Sequence, residues 1–170
     1  MKHTFLGLAM AAGLAVSGLS ASAQTALTYL FPAPDFLPAF APFQLALGKG
    51  YYAEEGLDVT FQVGQGGADV ATQVAVGNAQ LGGGMGDTAL IVRANGLAIR
   101  GVALLGGQGI THVAWRNDRD INGIADLRGR SIGVIGFQDT TFYNLLAVLA
   151  TETINRSDAD IQALGPAGII

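Results

Sequence analysis

The chain has 170 residues, with 25 glycines, no cysteine, and 13 acidic against 9 basic side chains, for a formal net charge of −4. That balance excludes a basic face for nucleic acid, because neutralising phosphates takes Lys and Arg gathered on one surface. Without cysteine there is neither a disulfide framework nor thiol chemistry, so an apolar core must hold one domain or part of a larger one.

Residues 1–23 read as an export leader. Lys2 heads an apolar stretch, Phe5–Leu19, of about 15 residues, and Ala21-Ser22-Ala23 forms a small-x-small cleavage signal before Gln24. The stretch is shorter than the roughly 18–20 residues that cross a bilayer. Gln24, in place of a cysteine, argues against a lipid anchor. Setting Lys2 aside makes the remaining chain one unit more acidic.

Ala26–Phe31 is the first expected strand, ended by Pro32 and Pro34, which cannot donate to a ladder. A loop to Pro38 leads into a helix that starts at Pro38 or near Ala41 and stops at Gly48 and Gly50. Tyr51 and Tyr52 pack over the next connection, and Glu54 and Glu55 are a solvated helix end. Leu57–Val63 sets Leu57, Val59, Phe61 and Val63 against Asp58, Thr60 and Gln62, the period of a strand. After Gly64–Gly67, Asp69–Val76 switches to helical spacing, with Gly77 suited to its C-terminus. Ala79–Leu81 is a short apolar strand running into Gly82–Gly86, and Asp87 opens a helix over Thr88–Asn95. This βαβα unit has both glycine loops on one edge, so two helix N-termini should face one crevice.

Beyond Gly96, Ile99–Leu105 is expected as an apolar strand, broken at Gly106–Gly109, with Ile110–Trp115 as a further strand. Arg116–Asp120 is a charged turn, and Ile124–Leu127 a short helical turn stopped near Gly129. Ser131–Ile135 is a buried strand and Gly136–Thr140 a third glycine-led loop. An amphipathic helix follows, with Phe142, Leu145, Leu146 and Leu149 on one face and Asp139 or Thr140 as N-cap. Asp160–Leu164 is the last strand. The connections are long enough for crossovers, so the class is α/β with a mostly parallel sheet and flanking helices. Ligands of such sheets bind beyond the carboxyl ends of the strands, at helix N-termini.

Reactive motifs fail on their context. Gly84-Met85-Gly86-Asp87-Thr88-Ala89 has the G-x-G-x-x-A form of a dinucleotide loop but no acidic residue about 20 positions on. Asp87 would also crowd a pyrophosphate and reads more simply as an N-cap. Gly129-Arg130-Ser131-Ile132-Gly133 matches G-x-S-x-G, but Ser131 begins a strand where a nucleophile elbow needs it to end one. His112 is the one histidine after the leader, so neither a zinc constellation nor a well-supported Ser-His-Asp triad assembles. No Walker loop occurs, since Lys49 precedes Gly50 and Tyr51. Polar loops with nothing reactive in them point to binding, with no catalytic residue, metal or cofactor.

One family fits these features. Leu47-Gly48-Lys49-Gly50-Tyr51-Tyr52-Ala53-Glu54-Glu55-Gly56-Leu57-Asp58-Val59 resembles a segment of the substrate-binding proteins of ABC importers. The resemblance is to their nitrate/sulfonate/taurine group, which includes binders of thiamine pyrimidine precursors. Gly77-Asn78-Ala79-Gln80-Leu81-Gly82, Ala94-Asn95-Gly96 and Ala125-Asp126-Leu127-Arg128-Gly129-Arg130-Ser131-Ile132-Gly133-Val134 continue it in order. It implies a type II periplasmic-binding fold of two α/β lobes, with 24–115 the first part of lobe one and 116–170 the start of lobe two. It also implies a periplasmic location, a small-molecule solute, permease membrane subunits as partners and a monomer at full length. Ligand contacts would fall on Pro34, Asp35, Phe36 and Leu37, on Gly66 and Gly67, and on Gly86, Asp87 and Thr88. Gln108 and the run Gln138, Asp139, Thr140 and Thr141 complete the set. Phe31, Phe36 or Phe137 would be available for stacking.

The sequence departs from the family at three points. Gln80 stands where an Asp is commoner, and Asp139 puts a carboxylate beside a helix N-terminus, which disfavours a sulfonate or nitrate and leaves room for a neutral, cationic or heteroaromatic ligand. Members run to roughly twice this length, which implies an N-terminal half with an incomplete two-lobe architecture and apolar surface left exposed. A short single-lobe protein, a synthase-like enzyme of the same fold and a nonfunctional remnant are the alternatives.

Overall fold

β1 (Thr25–Phe31) is the central strand of a three-stranded parallel sheet. β2 (Leu57–Val63) flanks it in register from Thr25↔Leu57 to Phe31↔Val63, and β3 (Leu81–Gly82) lies on the other side with Tyr29↔Leu81. A second sheet pairs β4 (Ser131–Val134) with β5 (Asp160–Ala163), also parallel. The computed structural model describes residues 23–169; the leader expected from the sequence lies, up to Ser22, outside the described residues.

The helices follow from the apolar spacing. α1 (Ala41–Gly48) is preceded by a 3₁₀ turn at Pro38–Phe40, so the two starts expected for this helix are consecutive pieces. Gly50, at φ 78°, turns the chain into the four-residue α2 (Tyr51–Glu54). α3 (Gly67–Ala75) buries Val70 and Ala71, and α4 (Thr88–Ala94) buries Thr88 and Val92. α5 (Thr140–Thr151) buries Phe142, Leu145 and Leu149, as its pattern predicts. A final turn, α6 (Gly165–Gly168), has no counterpart in the sequence reading.

Two cores result. Leu30, Val70 and Ala79 close the first sheet under α3, where Gly64 and Gly82 leave room for the Val70 methyls. On the other face Phe31 is fully buried, with ring centroids 4.6 Å from Phe40 and 4.9 Å from Phe61. Phe31 is therefore a packing residue and offers a ligand no ring face. The second core joins Leu127, Val134, Phe142, Leu145, Leu149 and Ile154, with Val113 and Ile121 packed against it. Full burial of each such side chain contributes about 1.5–3 kcal/mol.

The strands expected at Ile99–Leu105 and Ile110–Trp115 are absent: residues 97–116 carry no regular structure. Val102, Leu104, Leu105 and Ile110 are exposed there. An apolar, β-branched run supplies the preference for a strand, but the ladder needs a neighbouring strand, and among the described residues none pairs with it.

Candidate functional site

Three loops leave the carboxyl ends of β2, β3 and β4 and turn into α3, α4 and α5. They meet. Gly66 sits at φ 98°, and a Cβ there would stand 2.5 Å from Ile135 Cγ2 and 3.3 Å from Asp139 Oδ2. A Cβ on Gly67 would stand 2.9 Å from Thr88 Oγ1 and 3.3 Å from Gly84 Cα. The loop after β2 is thus wedged between the other two, and only glycine permits that approach. The Thr140 hydroxyl closes the junction by donating to Asp87 Oδ1 at 2.5 Å.

Local geometry assigns each polar side chain a task. Asp139 is the N-cap of α5, as expected, and its Oδ1 accepts from the Thr141 N–H at 3.0 Å and from Thr141 Oγ1 at 3.0 Å. Thr141 Oγ1 also accepts from the Ile135 N–H, tying the end of β4 to the helix start. Asp87 stands at the N-cap position of α4 but does not cap with its side chain; its carboxylate takes the Thr140 hydroxyl. The Thr88 hydroxyl instead accepts from the Met85 N–H at 2.9 Å.

Between the loop after β2 and the loop after β4 runs an open groove of about 400 Å³. Gln65, Ala68, Asp69 and Thr72 form one wall, and Ile135–Asp139 the other. The volume falls within the roughly 300–1,000 Å³ of small-ligand sites. Both walls carry a carboxylate, and none of the lining residues is Lys or Arg. A larger depression of about 530 Å³ lies at Asn155–Ile161, beside the amino end of β5. It is at the opposite rim of its sheet from the three strand-to-helix loops, so the smaller groove is the candidate site.

Of the residues singled out in the sequence, Gly66, Gly67, Asp87, Thr88, Asp139, Thr140 and Thr141 come together at this junction. Gln138 and Asp139 line the groove itself. Gly86 sits beside the unpaired stretch, its nearest neighbour Leu104. Pro34, Asp35, Phe36 and Leu37 form the turn after β1, with the Leu37 N–H on the Pro34 carbonyl; none lines the groove, and Phe36 is 80% exposed. Gln108 stands exposed in the irregular segment, also away from the groove. His112 is exposed, its Nδ1 2.8 Å from the Ile110 carbonyl. Gln65, Ala68, Asp69 and Thr72 were not anticipated, although their spacing of three, four and seven marks one helix face. Asp69 is held there by its own bonds: Oδ2 accepts the Gln65 N–H at 2.8 Å and Oδ1 faces Gln73 Nε2 at 3.3 Å.

Comparison with known proteins places the fold. Residues 37–167 match the family model described as NMT1/THI5 like. Riboflavin-binding protein RibY of Chloroflexus aurantiacus is 30% identical over 149 residues, covering 85% of this chain and 42% of that protein. A solved structure from Bordetella bronchiseptica RB50 superposes with a TM-score of 0.66 at 28% identity, covering 84% of this chain and 45% of that one. The alkanesulfonate-binding protein SsuA from Xanthomonas axonopodis pv. citri, bound to MOPS, gives a TM-score of 0.55 at 20% identity, with 85% and 48% covered, and speaks to the fold alone. The fold is that of type II periplasmic binding proteins. The chain spans less than half the length of these relatives.

Proposed function

The chain belongs to the NMT1/THI5-like family, and from that premise we propose that it forms the first part of a periplasmic solute-binding component of an ABC-type importer. In this reading a small organic solute binds reversibly between the loops after β2 and β4, and membrane permease subunits receive the loaded form. Residues 24–115 would then belong to lobe one and 116 onward to lobe two, with the leader directing export. The observation that carries the reading is the groove at the carboxyl ends of two parallel sheets, walled by helix N-termini and hydrogen-bonding side chains. Noncovalent binding is the chemistry such a site supports: its polar groups are amides, hydroxyls and carboxylates, most of them engaged in local hydrogen bonds. Micromolar affinity corresponds to about −8 kcal/mol, within reach of a few hydrogen bonds and one stacked ring. Phe137, 43% exposed on the groove wall, is the ring available.

The relatives suggest what to test. RibY is named for riboflavin and SsuA for alkanesulfonates, so a first panel contains both classes. Calorimetric titration of the full-length protein is expected to give saturable binding with at least one member. Absence of saturation with every member, together with no solute co-purifying by mass spectrometry, refutes the reading.

A further inference from the structure

Resting on that solute-binding reading, we infer that the groove selects an uncharged or cationic ligand presenting N–H or O–H donors, and that Asp139 is the residue that rejects oxyanions. Three observations lead there. First, the site at which the start of α5 would hold an anion is already filled, because Asp139 Oδ1 accepts the Thr141 amide and hydroxyl itself. The helix dipole is thereby answered from within the chain.

Second, Asp139 has a free acceptor. The residue is 5% exposed, and Oδ2 has no hydrogen-bond partner among the described residues. No buried side-chain oxygen or nitrogen in those residues goes unpaired. An unpaired Oδ2 is therefore accessible, on a residue that lines the groove. Glycine at position 66 keeps that oxygen uncovered, since a Cβ there would lie 3.3 Å from it. A carboxylate oxygen in that position accepts a donor from a ligand and repels a sulfonate, carboxylate or phosphate.

Third, no lining residue among those described offsets the negative charge. Asp69 faces the same space from α3, and no lysine or arginine lines it. Arg156, near the wall, is held over the rings of Phe137 and Phe142, 5.5 Å from each centroid. The ligand class that fits is an uncharged or cationic molecule with N–H or O–H donors at its edge.

Equilibrium titration of the full-length protein with riboflavin and thiamine, and in parallel with MOPS and ethanesulfonate, tests this. The natural protein is expected to prefer the first pair over the second by at least about tenfold. Asp139→Ser keeps an N-cap acceptor while removing the charge. It should weaken the uncharged or cationic ligand about tenfold and erase most of the discrimination, with the thermal midpoint held. Preference of the natural protein for the sulfonates, or unchanged discrimination in Asp139→Ser, overturns the inference and leaves the solute-binding reading standing. Refusal of all four ligands, together with no solute co-purifying by mass spectrometry, overturns both.

Discussion

Gly66 illustrates how far a single residue can be read. A glycine after a strand and before a helix signals a loop, yet its φ of 98° and its approach to Ile135 appear only once the second sheet is in place. Gly66→Ala would combine a left-handed backbone with a contact of 2.5 Å to Ile135 Cγ2. The expected loss is about 1–3 kcal/mol, measured by urea unfolding. A loss below about 0.5 kcal/mol, the scatter of ordinary surface substitutions, would mean the two loops do not hold this approach. Asp139 was legible as an N-cap, because Asp before a helical apolar pattern has one common task. The partner of Asp87 was not legible, since Thr140 lies 53 positions away.

Among the elements, α5 was readable in full: its apolar residues recur on one face and its cap stands at the start, so local information suffices. The irregular segment 97–116 was not. Its residues have strand preference, but a strand is completed by hydrogen bonds to a neighbour, and preference alone supplies none.

The second sheet carries its own pH dependence. Asp158 is held below the ordinary carboxylate range by the Asn155 backbone N–H and by Arg128, whose guanidinium reaches it at 2.5 Å. Asp160 is lowered by Ser131 Oγ and Gln162 Nε2. A depressed carboxyl stabilises the fold above its unfolded value of about 3.9 and loses that contribution as pH falls through the folded value. Thermal midpoints should therefore drop below about pH 4, and Asp158→Asn with Asp160→Asn should make that acid limb shallower. Parallel curves for variant and parent would show that these bonds do not act in solution. Asp160 is exposed and Asp158 partly so, which keeps the effect small.

Over the whole molecule, two parallel sheets with separate cores meet through their carboxyl-end loops, and the Thr140–Asp87 hydrogen bond spans the junction. Thr140 is 3% exposed, so Thr140→Val removes a charge-assisted bond at nearly constant shape. The expected cost is about 1.5–3 kcal/mol, and amide exchange should rise at the starts of both α4 and α5. Faster exchange at α5 alone would mean that the bond does not couple the two sheets.

What the chain order of residues decided was local: the class, the parallel strands, the Asp139 cap, and the glycine loops that feed helix N-termini. Each depends on spacing or backbone freedom within a few positions. Folding in three dimensions decided which loops meet, that Phe31 is buried among aromatic rings, that Pro34–Leu37 and Gln108 stand away from the groove, and that Asp139 lines it. Those outcomes depend on contacts between residues tens of positions apart, where the energy of packing and pairing, not local preference, selects the partner.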